Sequence, residues 1–227
     1  MATGKTTRTK STGGSPDARK RRAPGRPSAA GPELRPRLLD AALACYVREG
    51  IAATSLRAIA REAGVTPALL HYYFGDAAQL RQAVVDERVL PAIAGLRAHL
   101  PPGGDVHALV AAFVDGIGAL VAEHPWLPAL WVREVLCEGG ALRGVLAKQV
   151  APQIPLVLAE RFADAQKSGG LNPALDPRLL VVSLVGLTLF PAASAPIWRG
   201  VFRADGLDAT TMRAHTIALL ERGLATG

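Results

Sequence analysis

The segment from Thr54 to Phe74 constrains this chain more than any other. Leu56, Ile59, Ala60 and Ala63 recur at helical spacing and predict a short helix over Ser55–Ala63, with Thr54 as its N-cap candidate. Gly64 then permits a positive φ, Val65 can plug the corner, and Thr66-Pro67 opens a second helix with proline where a missing N–H is harmless. Leu70, Tyr73 and Phe74 give that second helix an inward face, and Gly75 closes it. Ala60 and Ala63 are small enough for the two helices to cross closely. Helix, three-residue glycine turn, helix: this order is the sequence form of a helix-turn-helix.

Chemistry follows from the face left over. Pro67, Ala68, His71 and Tyr72 lie opposite the inward residues and are expected to enter a DNA major groove. Ser55 and Thr66 stand at helix N-termini, where hydroxyl and N–H groups suit phosphate, and Thr54 joins them as a DNA-facing candidate. Arg57 is the candidate for a guanine contact or a phosphate clamp. For each, the alternative is a solvated surface residue; for Tyr73 it is core packing.

The rest of the chain reads as helices too. Glu33–Glu49 places Leu39, Leu43 and Tyr46 on one face, and a longer helix runs from Ala77 towards Leu100 with a kink at Pro91. Pro101-Pro102-Gly103-Gly104 breaks the chain. Further helices are expected at about 106–123, 126–138, 141–167, 176–190 and 208–223. Without sustained period-two alternation the fold class is all-α: a three-helix headpiece followed by a larger helical domain. The expected organisation is a disordered basic arm over 1–31, a helix-turn-helix domain over 32–80 with a connecting helix to about 100, and a helical domain over 101–227.

Charge separates the arm from the body. The net charge is +7, yet residues 1–37 alone carry +8, so the remainder sums to −1. Basic arms meet phosphate or anionic membrane. Arg21-Arg22-Ala23-Pro24-Gly25-Arg26-Pro27 has the Gly-Arg-Pro core of an AT-hook, which makes Arg26 a minor-groove candidate; a nonspecific phosphate-binding tail is the alternative. Cys45 and Cys137 fit no metal or redox spacing, so no metal or cofactor is expected. No phosphate loop, nucleophile elbow or His-x₃-His pair occurs, so no enzyme is expected either. No secretory signal is visible, and a cytoplasmic, nucleoid-associated protein is expected. Leu179–Trp198 is uncharged and long enough to span a bilayer. Pro191 and Pro196 divide it into a helix of about three turns and a looser segment, and a helix buried at a dimer interface explains it better than a membrane span.

The run Gly50-Ile51-Ala52-Ala53-Thr54-Ser55-Leu56-Arg57-Ala58-Ile59-Ala60-Arg61-Glu62-Ala63-Gly64-Val65-Thr66, followed by Leu70-His71-Tyr72-Tyr73-Phe74, resembles the TetR family of regulators. The resemblance is close over residues 34–90. It implies a DNA-binding headpiece on a ligand-binding and dimerisation domain, in a repressor that leaves its operator when a small molecule binds. Two positions depart from the family pattern. His71 and Tyr73 stand where Tyr and His are usual, and Ala77 stands where a phosphate-binding Lys is common.

In the C-terminal half, Phe113, Ile117, Trp131, Arg133 and Phe190 are the candidate lining of a small-molecule site, with a largely apolar effector expected. Each apolar one is alternatively plain core, and Arg133 with Glu134 alternatively forms a mutual or solvent-facing ion pair. Ser183, Gly186, Leu187, Ile217 and Leu220 are the expected homodimer interface, two helices from each subunit. Such a dimer reads a palindromic operator in double-stranded DNA. A protein with a rigid, pocketless C-terminal half would instead be a constitutive DNA binder.

Overall fold

The computed structural model describes residues 1–4 and 33–224. Contacts divide the chain into Met1–Glu33 and Leu34–Gly227, and the helices all lie in the second unit. No strand occurs among the described residues. The expectations for residues 5–31 of the basic arm, Arg26 included, lie outside them.

The first four helices follow the breakers in the sequence: α1 (Leu34–Glu49), α2 (Leu56–Ala63), α3 (Pro67–Phe74) and α4 (Ala77–Val84). The Asp76 carboxylate starts α4 by accepting the Gln79 N–H at 2.8 Å. The connection to α5 (Leu90–His99) is a π turn, Val85–Val89. The cause is one turn further on. Pro91 has no N–H to give the Glu87 carbonyl, and Arg88 Nη1 donates to that carbonyl instead at 2.9 Å. The irregularity at Pro91 thus takes the form of a π turn just before it.

The later helices are α6 (Val106–Glu123), α7 (Leu127–Trp131), α8 (Arg143–Val145), α9 (Pro155–Lys167), α10 (Pro177–Phe202) and α11 (Ala209–Leu224). Two more π turns follow α7 and α8, at Val132–Leu136 and Leu146–Val150. The single helix expected over 141–167 is two, because Pro155 offers no N–H to the Ala151 carbonyl and the Leu156 N–H reaches it instead at 3.0 Å. The expected division of α10 at its prolines does not occur. The helix continues through Pro191 and Pro196, with Trp198 Nε1 donating to the Pro191 carbonyl at 2.9 Å across the second proline.

Two apolar cores result. One gathers Leu38, Leu39, Ile59, Leu70 and Leu80 from α1–α4, and reaches Leu130 of α7 and Leu142 just before α8. The core of the headpiece thus extends beyond residue 80, the expected boundary. The other centres on Phe113, Leu158, Phe162 and Leu184. Each such side chain contributes roughly 1.5–3 kcal/mol by leaving water. Ile93 and Trp126 pack against both cores, so the headpiece is joined to the body through apolar contact.

Candidate nucleic-acid interface and effector cavity

α2 is capped by Ser55, whose hydroxyl accepts the Ala58 N–H at 3.2 Å. Thr54, the expected cap, is turned inward: its hydroxyl donates to the Gly50 carbonyl at 2.6 Å and ties down the loop before the helix. Gly64 closes α2 at φ +67°, a left-handed conformation that lets the chain reverse into α3. Thr66 stands at the α3 N-cap without a side-chain cap bond, and Pro67 occupies the first turn. Leu70 and Phe74 are buried, Ile59 and Ala60 support them from α2, and Tyr73 is half-buried against the same core.

Pro67, Ala68, His71 and Tyr72 are all exposed, as are Ser55, Arg57 and Thr66. Tyr72 is 79% exposed, with its ring edge-on to Tyr73 at 5.5 Å. A tyrosine held out on the end of a packed helix offers an aromatic face and a hydroxyl to a groove. His71 Nδ1 faces the Gly75 carbonyl, which fixes that nitrogen as the donor and leaves Nε2 pointing away from the backbone bond. Arg57 and Arg61 are exposed one turn apart on α2, and no ion pair with an acidic side chain involves either among the described residues. Three other headpiece cations are engaged, Arg48 with Glu49 and Glu62, Arg88 with Asp40, and Arg35 with Glu87, while Arg37 and Arg81 form no ion pair among the described residues. The carboxylates hydrogen-bonded to Arg48 raise the pKa of its guanidinium further. Arg61 is a cation that the sequence reading passed over; its spacing four residues after Arg57 was the available signal.

Arg133 and Glu134 form neither a ligand-orienting pair nor an ion pair with each other. Glu134 is 4% exposed and accepts two backbone N–H groups, Ile51 at 2.9 Å through Oε1 and Ala141 at 3.1 Å through Oε2. Arg133 Nη1 donates to the Arg48 carbonyl at the end of α1, at 3.1 Å. The two side chains clip the loop after α1 to the π turn after α7. A Cβ on Gly140 would lie 2.3 Å from the Glu134 carbonyl oxygen, so only glycine fits beneath the clip.

A cavity of about 430 Å³ opens between α6, α10 and α11. Of the expected lining residues, Ile117 faces it. Phe113 does not: it is 1% exposed at the centre of the body core. Trp131 lines a separate void of about 20 Å³ near the headpiece, Arg133 is the clip residue, and Phe190 is 66% exposed on the outside of α10. Trp198 lines it too, and the charged members, Asp115, Arg199 and Arg213, were not anticipated from the sequence. Asp115 and Arg213 pair across the cavity, and the carboxylate raises the pKa of the guanidinium. An aspartate inside the apolar run of α6 was the signal for it.

The outward face of α10 carries Leu179, Val182, Phe190, Ile197 and Val201, all exposed, with Ser183 and Gly186 among them. By length and composition α10 is also apolar enough to cross a bilayer, as is α6. Leu187 faces the cavity instead. Ile217 and Leu220 are half-buried in a groove against α6, while Leu219 on α11 is exposed.

A short capped helix, a left-handed glycine turn and a packed helix with its polar and aromatic face in solvent define a helix-turn-helix DNA-binding protein. Comparison with known proteins shows what the headpiece and the fold are similar to. Residues 38–84 match the sequence model of "Bacterial regulatory proteins, tetR family". The HTH-type transcriptional regulator UidR of Escherichia coli K12 is 29% identical over 156 residues, covering 68% of this chain and 77% of UidR. The ketosteroid transcriptional regulator KstR2 of Mycobacterium tuberculosis superposes with a TM-score of 0.67 at 16% identity, covering 85% of this chain and 95% of that one. NalD of Pseudomonas aeruginosa, the secondary repressor of the MexAB-OprM efflux pump, gives 0.59 at 24% identity, covering 85% and 97%. The headpiece thus matches the TetR family over residues 38–84, and these similar proteins are transcriptional regulators.

Proposed function

We propose that the chain acts in the cytoplasm as a homodimeric, ligand-responsive repressor that binds a palindromic operator through α3 and leaves it when a small, largely apolar molecule fills the cavity between α6, α10 and α11. The observation that carries this reading is the solvent-facing set Pro67, Ala68, His71 and Tyr72 on a helix whose other face is locked into the headpiece core. Arg57 and Arg61 flank it as phosphate or base contacts. The cavity supports effector binding, since a pocketless C-terminal half would have argued for a constitutive DNA binder. One fold neighbour, NalD, is itself a repressor. The exposed apolar stripe of α10 supports dimerisation.

Footprinting on DNA flanking the gene tests the proposal. The expected result is protection of a palindrome whose half-sites lie roughly 34–36 Å apart, one helical turn. Tyr72→Ala should weaken specific binding by roughly tenfold or more while leaving the thermal unfolding curve in place. Binding without sequence preference at moderate salt would overturn the assignment.

A further inference from the structure

The cavity between α6, α10 and α11 is walled mostly by apolar side chains, yet its polar groups are unevenly satisfied. The Thr188 hydroxyl donates to the Leu184 carbonyl at 2.7 Å, and the Thr216 hydroxyl to the Met212 carbonyl at 2.9 Å. The Trp198 indole N–H is taken by the Pro191 carbonyl. Asp115 is matched by Arg213, which reaches both of its carboxylate oxygens. These donors and this acid are therefore occupied.

Arg199 is different. Its guanidinium is held from two sides: Nη2 donates to the Leu207 carbonyl at 2.8 Å, and Cζ lies 5.4 Å from the centre of the Trp198 ring. Its Nε is buried and has no hydrogen-bond partner, and no carboxylate pairs with it among the described residues. A fixed cation on the cavity wall with no acidic partner favours an oxyanion there, because a charge-assisted hydrogen bond serves the guanidinium donors and the charge together. A neutral oxygen satisfies the donor alone, and a cation satisfies neither.

We infer that the effector of this cavity is an anionic amphiphile, an apolar molecule bearing one carboxylate, anchored by Arg199. The inference rests on the effector reading proposed above and gives that effector its chemical class. The apolar wall takes the hydrocarbon body and Arg199 the head group, while the Asp115–Arg213 pair adds no net charge.

Titration calorimetry of the full chain with octanoate, octan-1-ol and octylamine, three ligands with one tail, tests it. Octanoate should bind at least about tenfold tighter than the alcohol, and the amine should bind weakest. Arg199→Gln should abolish the preference for the acid, weakening octanoate far more than the alcohol. Equal affinity for acid and alcohol in the unmutated chain overturns the inference while leaving an apolar effector cavity in place, as does a preference that survives Arg199→Gln. Failure of all three ligands to bind removes the cavity reading and this inference together. If Arg199→Gln does not fold, the comparison on the unmutated chain decides alone.

Discussion

Glu134 is a carboxylate inside the protein whose partners are two backbone N–H groups from different parts of the chain. Replacing it by alanine leaves both donors buried and unmade, at about 1–3 kcal/mol each. Glu134→Ala should therefore lower unfolding free energy by roughly 2–5 kcal/mol in a denaturant titration; an unchanged midpoint would remove the clip from the account. Local pattern could not assign this role. Ile51 is 83 positions from Glu134, and the carbonyl that receives Arg133 is 85 positions away. What the sequence did show was two charged residues in an apolar stretch, a sign of some specific task. Phe113 is the opposite case. An aromatic residue on an amphipathic helix looks the same from sequence whether it lines a cavity or fills a core, and only the neighbours decide.

Helix ends were legible where the stop signal is local. Gly50, Gly64, Gly75 and the Pro101–Gly104 run bound α1, α2, α3 and α5 close to where they were expected. The misjudged ends depend on bonds that sequence does not display. α10 survives two prolines, with the Trp198 indole serving a carbonyl beside them, and the π turn before Pro91 depends on an arginine reaching back. The last two helices also carry acid-sensitive caps. Bonds from the Arg178 side chain and then its N–H hold the Asp176 carboxyl below the usual range, and the Thr211 N–H and hydroxyl do the same for Asp208. A depressed carboxyl adds stability above its unfolded value, about 3.9, and loses it as pH falls through the folded value. The melting temperature should therefore drop as pH falls below about 4, with a shallower slope in the Asp176→Asn, Asp208→Asn double variant. An identical slope in the two proteins would show that these caps do not titrate with folding.

At the level of the whole molecule, the exposed stripe on α10 is the feature that a lone chain does not explain. Gly186 lies on it, and a Cβ there would meet nothing within the subunit. Gly186→Arg should leave the subunit folded and shift sedimentation to the monomer, with specific DNA binding lost because two recognition helices are no longer yoked. A variant that remains a dimer and binds its operator would place the interface elsewhere. The sequence singled out α10 by its lack of charge, whereas Ile217 and Leu220 of α11 are half-buried beside α6. An amphipathic helix with apolar residues on two sides does not announce which side meets its own body.

The three π turns share a neighbourhood. Val89, Val135, Leu146 and Val150, one or more from each turn, border the same small void between headpiece and body, where Leu130 and Leu142 also meet. Each such turn accommodates one residue more than an ordinary helical turn. Slack is thus concentrated at a neck. A push on the lower helices can be absorbed there as a one-residue ratchet, so the reading head can swivel without either core melting. Amide protons at this neck should exchange with deuterium ahead of those in α1 and α6.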